Sequence, residues 1–320
     1  MRRYSRKKRG KILLYIAFTF AVLVLVALGG TSLVFSELSK NIDKNGLLLG
    51  SNTGYAQVMA VEEQQRGDSS WYEPGYASNI SVKTSDGFML TGISYEHKPK
   101  SCGWALIVHG YSSRKEDMLT YAKRYYNEGY NVLLPDLRAH GESEGDFVGM
   151  GWLDRKDLVI WIENLLVGHP DADIVMHGIS MGGAAVMMAS GEELPGNVKA
   201  IVEDSGYTSV WDILDYQLGY RYHLPAFPVL YGASIWSNSK WGYNWKEASA
   251  VEQVKKSKTP ILFIHGGEDD IVPTTMAYDV YQAAKCKKRL LIIEGAEHAG
   301  AVCTNPERYW DEVFSFIDSQ

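Results

Sequence analysis

Cysteine is scarce in this chain of 320 residues: it has only Cys102, Cys286 and Cys303. Three is an odd number, and no two of them share a short metal-type spacing, which argues against a zinc site and against a disulfide framework. Three free thiols are expected, the alternative being a Cys286–Cys303 bridge in an oxidising exterior. Positive charge is thin outside the N-terminus. The 32 Lys and Arg face 38 Asp and Glu, so the net charge is −6 even with a strongly basic tail. The remainder is acidic and has no basic stripe suited to a phosphate backbone, so nucleic acid is not expected as a partner. No spacing calls for a metal, and no cofactor is expected.

What is present begins at the N-terminus. Arg2, Arg3, Arg6, Lys7, Lys8, Arg9 and Lys11 stand among residues 1–11 with no acid between them, and residues 12–35 then turn apolar. A helix of about 20 such residues spans a bilayer's hydrocarbon core, whereas a cleavable signal usually needs only about 7–15. The expectation is a single-pass signal anchor over 12–35, with the basic tail cytoplasmic and the rest outside the cell membrane. Cleavage and secretion is the alternative, because Ala27, Gly29, Gly30, Thr31 and Ser32 are small. The residues of a twin-arginine signal are missing, as is a nearby cysteine to carry a lipid. Residues 36–76 are polar and read as a stalk.

From residue 77 the pattern is that of one α/β domain, and about 250 residues fill one core better than two. Residues 80–83 and 88–95 alternate apolar and polar around a Ser85-Asp86-Gly87 turn, as hairpin strands do. Short unbroken apolar runs come next at 105–108, 132–134, 174–176, 200–202, 261–264 and 290–293, separated by amphipathic stretches such as 153–166 and 306–317. Strands apolar on both faces, alternating with helices, predict a doubly wound, mostly parallel sheet whose first two strands are antiparallel. About residues 206–247 break the rhythm with Tyr207, Trp211, Tyr216, Tyr220, Tyr222, Phe227, Tyr231, Trp236, Trp241, Tyr243 and Trp245. This aromatic-rich insertion reads as a small lid over an apolar cleft.

The chemistry centres on Met-His-Gly-Ile-Ser-Met-Gly-Gly at 176–183, which places Ser180 in a G-x-S-x-G motif just after the run 172–176. A serine hydroxyl becomes a nucleophile when it projects from a tight turn that a base can reach, and Gly178 and Gly182 free that turn of Cβ atoms. Such a serine needs an imidazole, a carboxylate and oxyanion donors. Two later strand ends offer them. His265-Gly-Gly-Glu-Asp-Asp-Ile-Val-Pro273 follows the run 261–264, and Glu294-Gly-Ala-Glu-His298-Ala follows 290–293.

In this order of serine, acid and histidine at successive strand ends, the chain resembles the α/β-hydrolase superfamily over about residues 75–318. It looks most like the bacterial membrane-anchored serine hydrolases of the lysophospholipase and serine aminopeptidase-like groups. The resemblance implies Ser180 as nucleophile on a nucleophile elbow. It implies Asp269, rather than the flanking Glu268 or Asp270, as the acid of an H-G-x-x-D-x-x-V-P signature, and His298 as the base. The oxyanion would be held by the backbone N–H groups of Met181 and of Tyr111, the latter in the segment Val108-His109-Gly110-Tyr111. Met118 is similar to a residue placed near the acyl pocket. Pro135-Asp136-Leu137-Arg138-Ala139-His140-Gly141-Glu142-Ser143 is similar to a bracing loop in which Asp136 and Arg138 take buried partners. Ala139 replaces its usual glycine and leaves the local backbone geometry open. Of the other histidines, 97, 109, 140, 169, 177, 223 and 265, none combines a loop position with the right place in the order.

The function expected is that of a serine esterase, acting through an acyl-enzyme on a small-molecule ester of lipid-derived or amphipathic type. A peptidase or amidase of the serine aminopeptidase-like type is the first alternative, and a non-catalytic cell-surface protein on the same fold is the second.

Overall fold

The alternating residues 77–95 form a hairpin. In the computed structural model, which describes residues 29–30, 71–72, 76–97 and 101–320, β1 (Ala77–Lys83) pairs antiparallel with β2 (Met89–Tyr95). The Thr84 N–H closes the turn by donating to the Phe88 carbonyl at 2.8 Å. The continuous apolar runs form β3 (Gly103–Val108), β4 (Asn131–Pro135), β5 (Asp173–Ile179), β6 (Val198–Asp204), β7 (Ile261–Gly266) and β8 (Lys288–Ile293). They join the hairpin in one 8-stranded sheet of order β1-β2-β4-β3-β5-β6-β7-β8. The β2–β4 pair is antiparallel, and every pair beyond it is parallel.

The runs lack alternation because both faces of the sheet are covered. Leu106 and Val108 of β3 point into one apolar layer, with α2 (Asp154–Gly168), α3 (Met181–Ala189), α6 (Ala250–Val254) and α7 (Thr275–Ala283). Ala105 and Ile107 point into the other, with α1 (Leu119–Asn127), α8 (Ala301–Thr304) and α9 (Pro306–Asp318). Helix α9 starts where its sequence says it should: the Asn305 side chain accepts the Arg308 N–H at 3.1 Å, and Pro306 opens the first turn.

The insertion between β6 and β7 contains α4 (Val210–Tyr222) and α5 (Val229–Trp241). Its rings divide. Tyr207, Tyr243 and Trp245 are buried in the core, while Tyr220, Tyr222, Phe227 and Tyr231 are exposed. Trp71 and Tyr72, which the polar pattern assigns to a stalk, pack on Tyr95 with centroids 4.7 Å away, so contact with the domain reaches back at least to Trp71. Apart from Gly29 and Gly30, the anchor expected at 12–35 lies outside the described residues, as do the basic tail and the stalk up to residue 70. Among the described residues no helix is long and apolar enough to cross a membrane. No disulfide joins Cys102, Cys286 and Cys303 among the described residues.

Candidate active site

Strand β5 ends at Ile179 and α3 begins at Met181, leaving Ser180 alone to turn the chain. It does so at φ 56°, ψ −116°, a conformation that costs a non-glycine residue on the order of 1–3 kcal/mol and persists only when its surroundings enforce it. Here they do. The Ser180 N–H donates to the Asp204 carbonyl of β6 at 2.7 Å, and the Ser180 carbonyl accepts the Ala184 N–H at 2.9 Å. The two glycines are dictated by close approach: a Cβ at Gly178 would fall 2.2 Å from the Gly182 carbonyl oxygen, and one at Gly182 2.2 Å from that of Val108.

The structure brings Ser180, His298 and Asp269 together. The Ser180 hydroxyl donates to His298 Nε2 at 2.7 Å, and His298 Nδ1–H donates to Asp269 Oδ2 at 2.7 Å, although 118 positions separate the serine from the histidine. All three are buried. Asp269 differs from its neighbours in exposure as well as in aim, since Glu268 and Asp270 face solvent. Its Oδ1 accepts the N–H groups of Ile271 at 2.9 Å and Val272 at 2.8 Å. Burial alone would raise its pKa, but His298 and His265 hold it below the ordinary carboxylate range. It is therefore an anion aimed at the imidazole.

The loop carrying His298 is tied to the sheet from the opposite face. The Ala299 N–H donates to Ser205 Oγ at 3.1 Å, and that hydroxyl donates to Asp204 Oδ1 at 2.8 Å. Asp204 Oδ2 accepts from Tyr309 OH at 2.9 Å, whose oxygen lies 3.0 Å from His177 Nε2. His177 Nδ1 lies 3.0 Å from Tyr125 OH. Burial depresses His177 to about 3, so it is a neutral link in this chain of hydrogen bonds.

The loop after β3 runs against Ser180, for a Cβ at Gly110 would lie 3.3 Å from Ser180 Cβ. This sets Tyr111, itself buried, directly after the residue that meets Ser180. Two histidines clamp the loop. His109 Nδ1–H donates to the Gly110 carbonyl at 2.7 Å while its Nε2 accepts the Leu137 N–H at 3.0 Å. His140 does the same between the Arg138 carbonyl, 2.9 Å, and the Ser112 N–H, 3.3 Å. Burial, then His140, lowers His109 to about 3, consistent with this neutral bridging role.

The bracing loop takes the buried partners that the resemblance implies. Arg138 binds both oxygens of Asp157 at 2.8 Å. Asp136 accepts Lys115 Nζ at 2.6 Å, and Ala139 stands at φ 60°. Met118 is fully buried in the layer beneath α1 and α9. The lid reaches the site through α4, where the Gln217 side-chain amide donates to the Ile271 carbonyl, two residues after Asp269.

Two residues of the site have no role assigned to them by motif and spacing. One is Lys115, a buried cation whose Nζ also reaches Glu142 at 2.8 Å. The other is His265, whose Nε2 lies 3.2 Å from Asp269 Oδ2. Its spacing of four residues from Asp269 is the one signal the sequence offers. The remaining histidines have other places: His97 stacks on Tyr126, His169 packs on Trp104, and His223 ends α4 at φ 53°.

An eight-stranded sheet with this order and a serine on the turn after β5 is the α/β-hydrolase fold, and comparison with known proteins agrees. Residues 99–215 match the family described as "Serine aminopeptidase, S33". YqkD of Bacillus subtilis is 29% identical over 316 residues, 97% of each chain. YfhR of Escherichia coli K12 is 25% identical over 255 residues, covering 77% of this chain and 82% of its own. Among solved structures, the Pyrococcus furiosus esterase Pf2001 superposes with a TM-score of 0.62 at 22% identity, over 76% of this chain and 92% of the esterase. The chain thus has the α/β-hydrolase fold, and over residues 99–215 it is similar to the serine aminopeptidase-like family.

Proposed function

We propose that this protein is a serine hydrolase that cleaves carboxylic esters. Ser180 Oγ attacks the acyl carbonyl while His298 Nε2 takes its proton, and the same nitrogen then delivers that proton to the departing alkoxide. Asp269 fixes the imidazole tautomer and stabilises the imidazolium. The N–H groups of Met181 and Tyr111 hold the oxyanion, and water, deprotonated by His298, releases the acid. The observation that carries this reading is the pair of 2.7 Å contacts from Ser180 to His298 and from His298 to Asp269. Reaction with a fluorophosphonate probe tests it: wild type should label and Ser180→Ala should not. His298→Ala and Asp269→Asn should each lower kcat by about 10³–10⁴-fold. Damage from Asp270→Asn with Asp269→Asn harmless would overturn the choice of acid.

The family match favours peptidase activity as a second reading. Cleaving an aminoacyl amide calls for acids near the site to hold the substrate's ammonium, and the lid helix α4 offers Asp212 and Asp215. Asp212 is already engaged, accepting the Thr208 hydroxyl at 2.8 Å, so ester hydrolysis is preferred. Rates on p-nitrophenyl esters of graded chain length against aminoacyl anilides separate the two. The basic tail and apolar run at 1–35 support a single-pass membrane anchor with the hydrolase domain outside the cell. That location and the aromatic lid suit a lipid-derived or amphipathic ester.

A further inference from the structure

Behind the line of Ser180, His298 and Asp269 lie two more buried ionisable groups that the hydrolytic steps do not use. Glu203 on β6 and His265 on β7 are both fully buried. The parallel register sets Glu203 beside Phe263. Because side chains alternate along a strand, Glu203, Phe263 and His265 all project from the same face of the sheet. Asp204 projects from the opposite face, where Tyr309 binds it.

Glu203 is only half satisfied. Its Oε2 accepts the Gly206 N–H at 3.0 Å and rests against the first turn of the nucleophile helix, where a Cβ at Gly183 would approach it to 3.3 Å. Its Oε1 has no hydrogen-bond partner. His265 is its complement. Nε2–H donates to the Val272 carbonyl at 2.8 Å and lies against Asp269, while Nδ1 has no partner. The residue under the nucleophile's helix and the residue touching the acid thus each turn one unsatisfied polar atom into the same layer. A buried water makes two to four hydrogen bonds to such groups.

We propose that Glu203 and His265 are a positioning pair for the Ser180, His298 and Asp269 site, joined by one internal water between Oε1 and Nδ1 and sharing a single proton. The catalytic part of this proposal rests on the serine-hydrolase reading. The shared proton sits on Glu203, whose carboxylic acid then donates through the water to His265 Nδ1, or on Nδ1 itself, because Asp269 and Glu203 raise the His265 pKa against the effect of burial; in both forms Nε2–H keeps its place beside Asp269. No other bond changes. The charged and titratable groups around the pair are Asp269, which touches His265, and His298 beyond it, from the loops after β7 and β8, and Asp204 behind the sheet. Burial pushes the Glu203 carboxyl up to about 8 against the pull of His265. The proton therefore stays at neutral pH and leaves as the pH passes about 8. Its loss sets a new negative charge behind Asp269, which alters how strongly the His298 imidazolium is held.

The test uses the full chain in detergent, with Glu203→Gln and His265→Gln. The pH profile of kcat/KM on p-nitrophenyl acetate should show, beyond the ionisation of the base, a second inflection near pH 8. It should vanish in Glu203→Gln and move to higher pH in His265→Gln, which removes the group that pulls Glu203 down. At pH 7, His265→Gln should lower kcat by about 10–100-fold with KM little changed, through misplacement of Asp269. A second measurement needs no activity. Between the ordinary carboxyl range and pH 8 only the folded state keeps the Glu203 proton, so this group's contribution to stability falls as pH rises through that window. The Tm of Glu203→Gln minus that of wild type should therefore grow from pH 5 to pH 8 and level off above. A constant difference across that range, or a second inflection unchanged in Glu203→Gln, overturns the pair. Absence of fluorophosphonate labelling with the Tm pattern intact would instead sink the hydrolase reading and leave the shared proton standing.

Discussion

Ala139 carries a conformation that its side chain resists. At φ 60° it sits where a Cβ crowds the backbone, at a cost of roughly 1–2 kcal/mol for an L-residue. Nothing about the loop's hydrogen bonds needs the methyl group: the Ala139 N–H donates to the Glu144 carbonyl at 3.1 Å, as glycine's would. Ala139→Gly is expected to raise stability to urea by about 0.5–1 kcal/mol. Unchanged or lowered stability would show that the strain is relieved elsewhere. Ser180 sits in a similar region, but there the strained backbone aims a hydroxyl at an imidazole. At this scale the sequence is most legible where steric need dictates the residue. Gly178 and Gly182 can be read as a tight turn because no other residue fits within 2.2 Å of a carbonyl. Chemistry alone does not separate Asp269 from Glu268 and Asp270. Three adjacent carboxylates look alike in a sequence, and it is the fold that buries one and leaves two in solvent.

At the scale of elements, the loops after β3 and β4 are held by a buried ion pair. Lys115 and Asp136 are both shielded from water, with Nζ to Oδ2 at 2.6 Å, and Asp136 also accepts the backbone N–H groups of Lys115 at 2.7 Å and Glu142 at 3.0 Å. Breaking such a pair on one side leaves a charge without its partner, so Lys115→Met is expected to cost about 3 kcal/mol or more in urea unfolding. A cost below about 1 kcal/mol would mean that the backbone donors suffice for Asp136. The apolar runs reveal the strands because burial on both faces removes polar positions, a signal that survives without neighbours. The lid resists the same treatment. In α4 and α5 apolar residues fall all round the helix, so no stripe tells Leu214 and Leu230, which are buried, from Tyr220 and Ile235, which are exposed. Lys115 is hidden for a related reason: a lysine between an arginine and a glutamate looks like solvent-facing charge until its acid arrives from another strand.

Over the whole molecule, the sheet separates two apolar layers, and the three residues of the proposed triad rise from the ends of β5, β7 and β8 above them. The domain touches its N-terminal side through Trp71 and Tyr72. If 12–35 anchors the chain, the full-length protein should sediment with membranes, resist extraction by high salt and be released by detergent. Recovery in the salt wash would rule the anchor out, and recovery in the medium with a new N-terminus near residues 27–32 would favour secretion.

The contact between residues 180 and 298 spans 118 positions, and this bears on how the protein is made. On the proposed function, a ribosome that has made Ser180 has yet to emit His298, so a nascent or prematurely terminated polypeptide carries an unassisted serine and should fail to label with a fluorophosphonate. Competence would then arrive only once the chain has passed its last strand, β8.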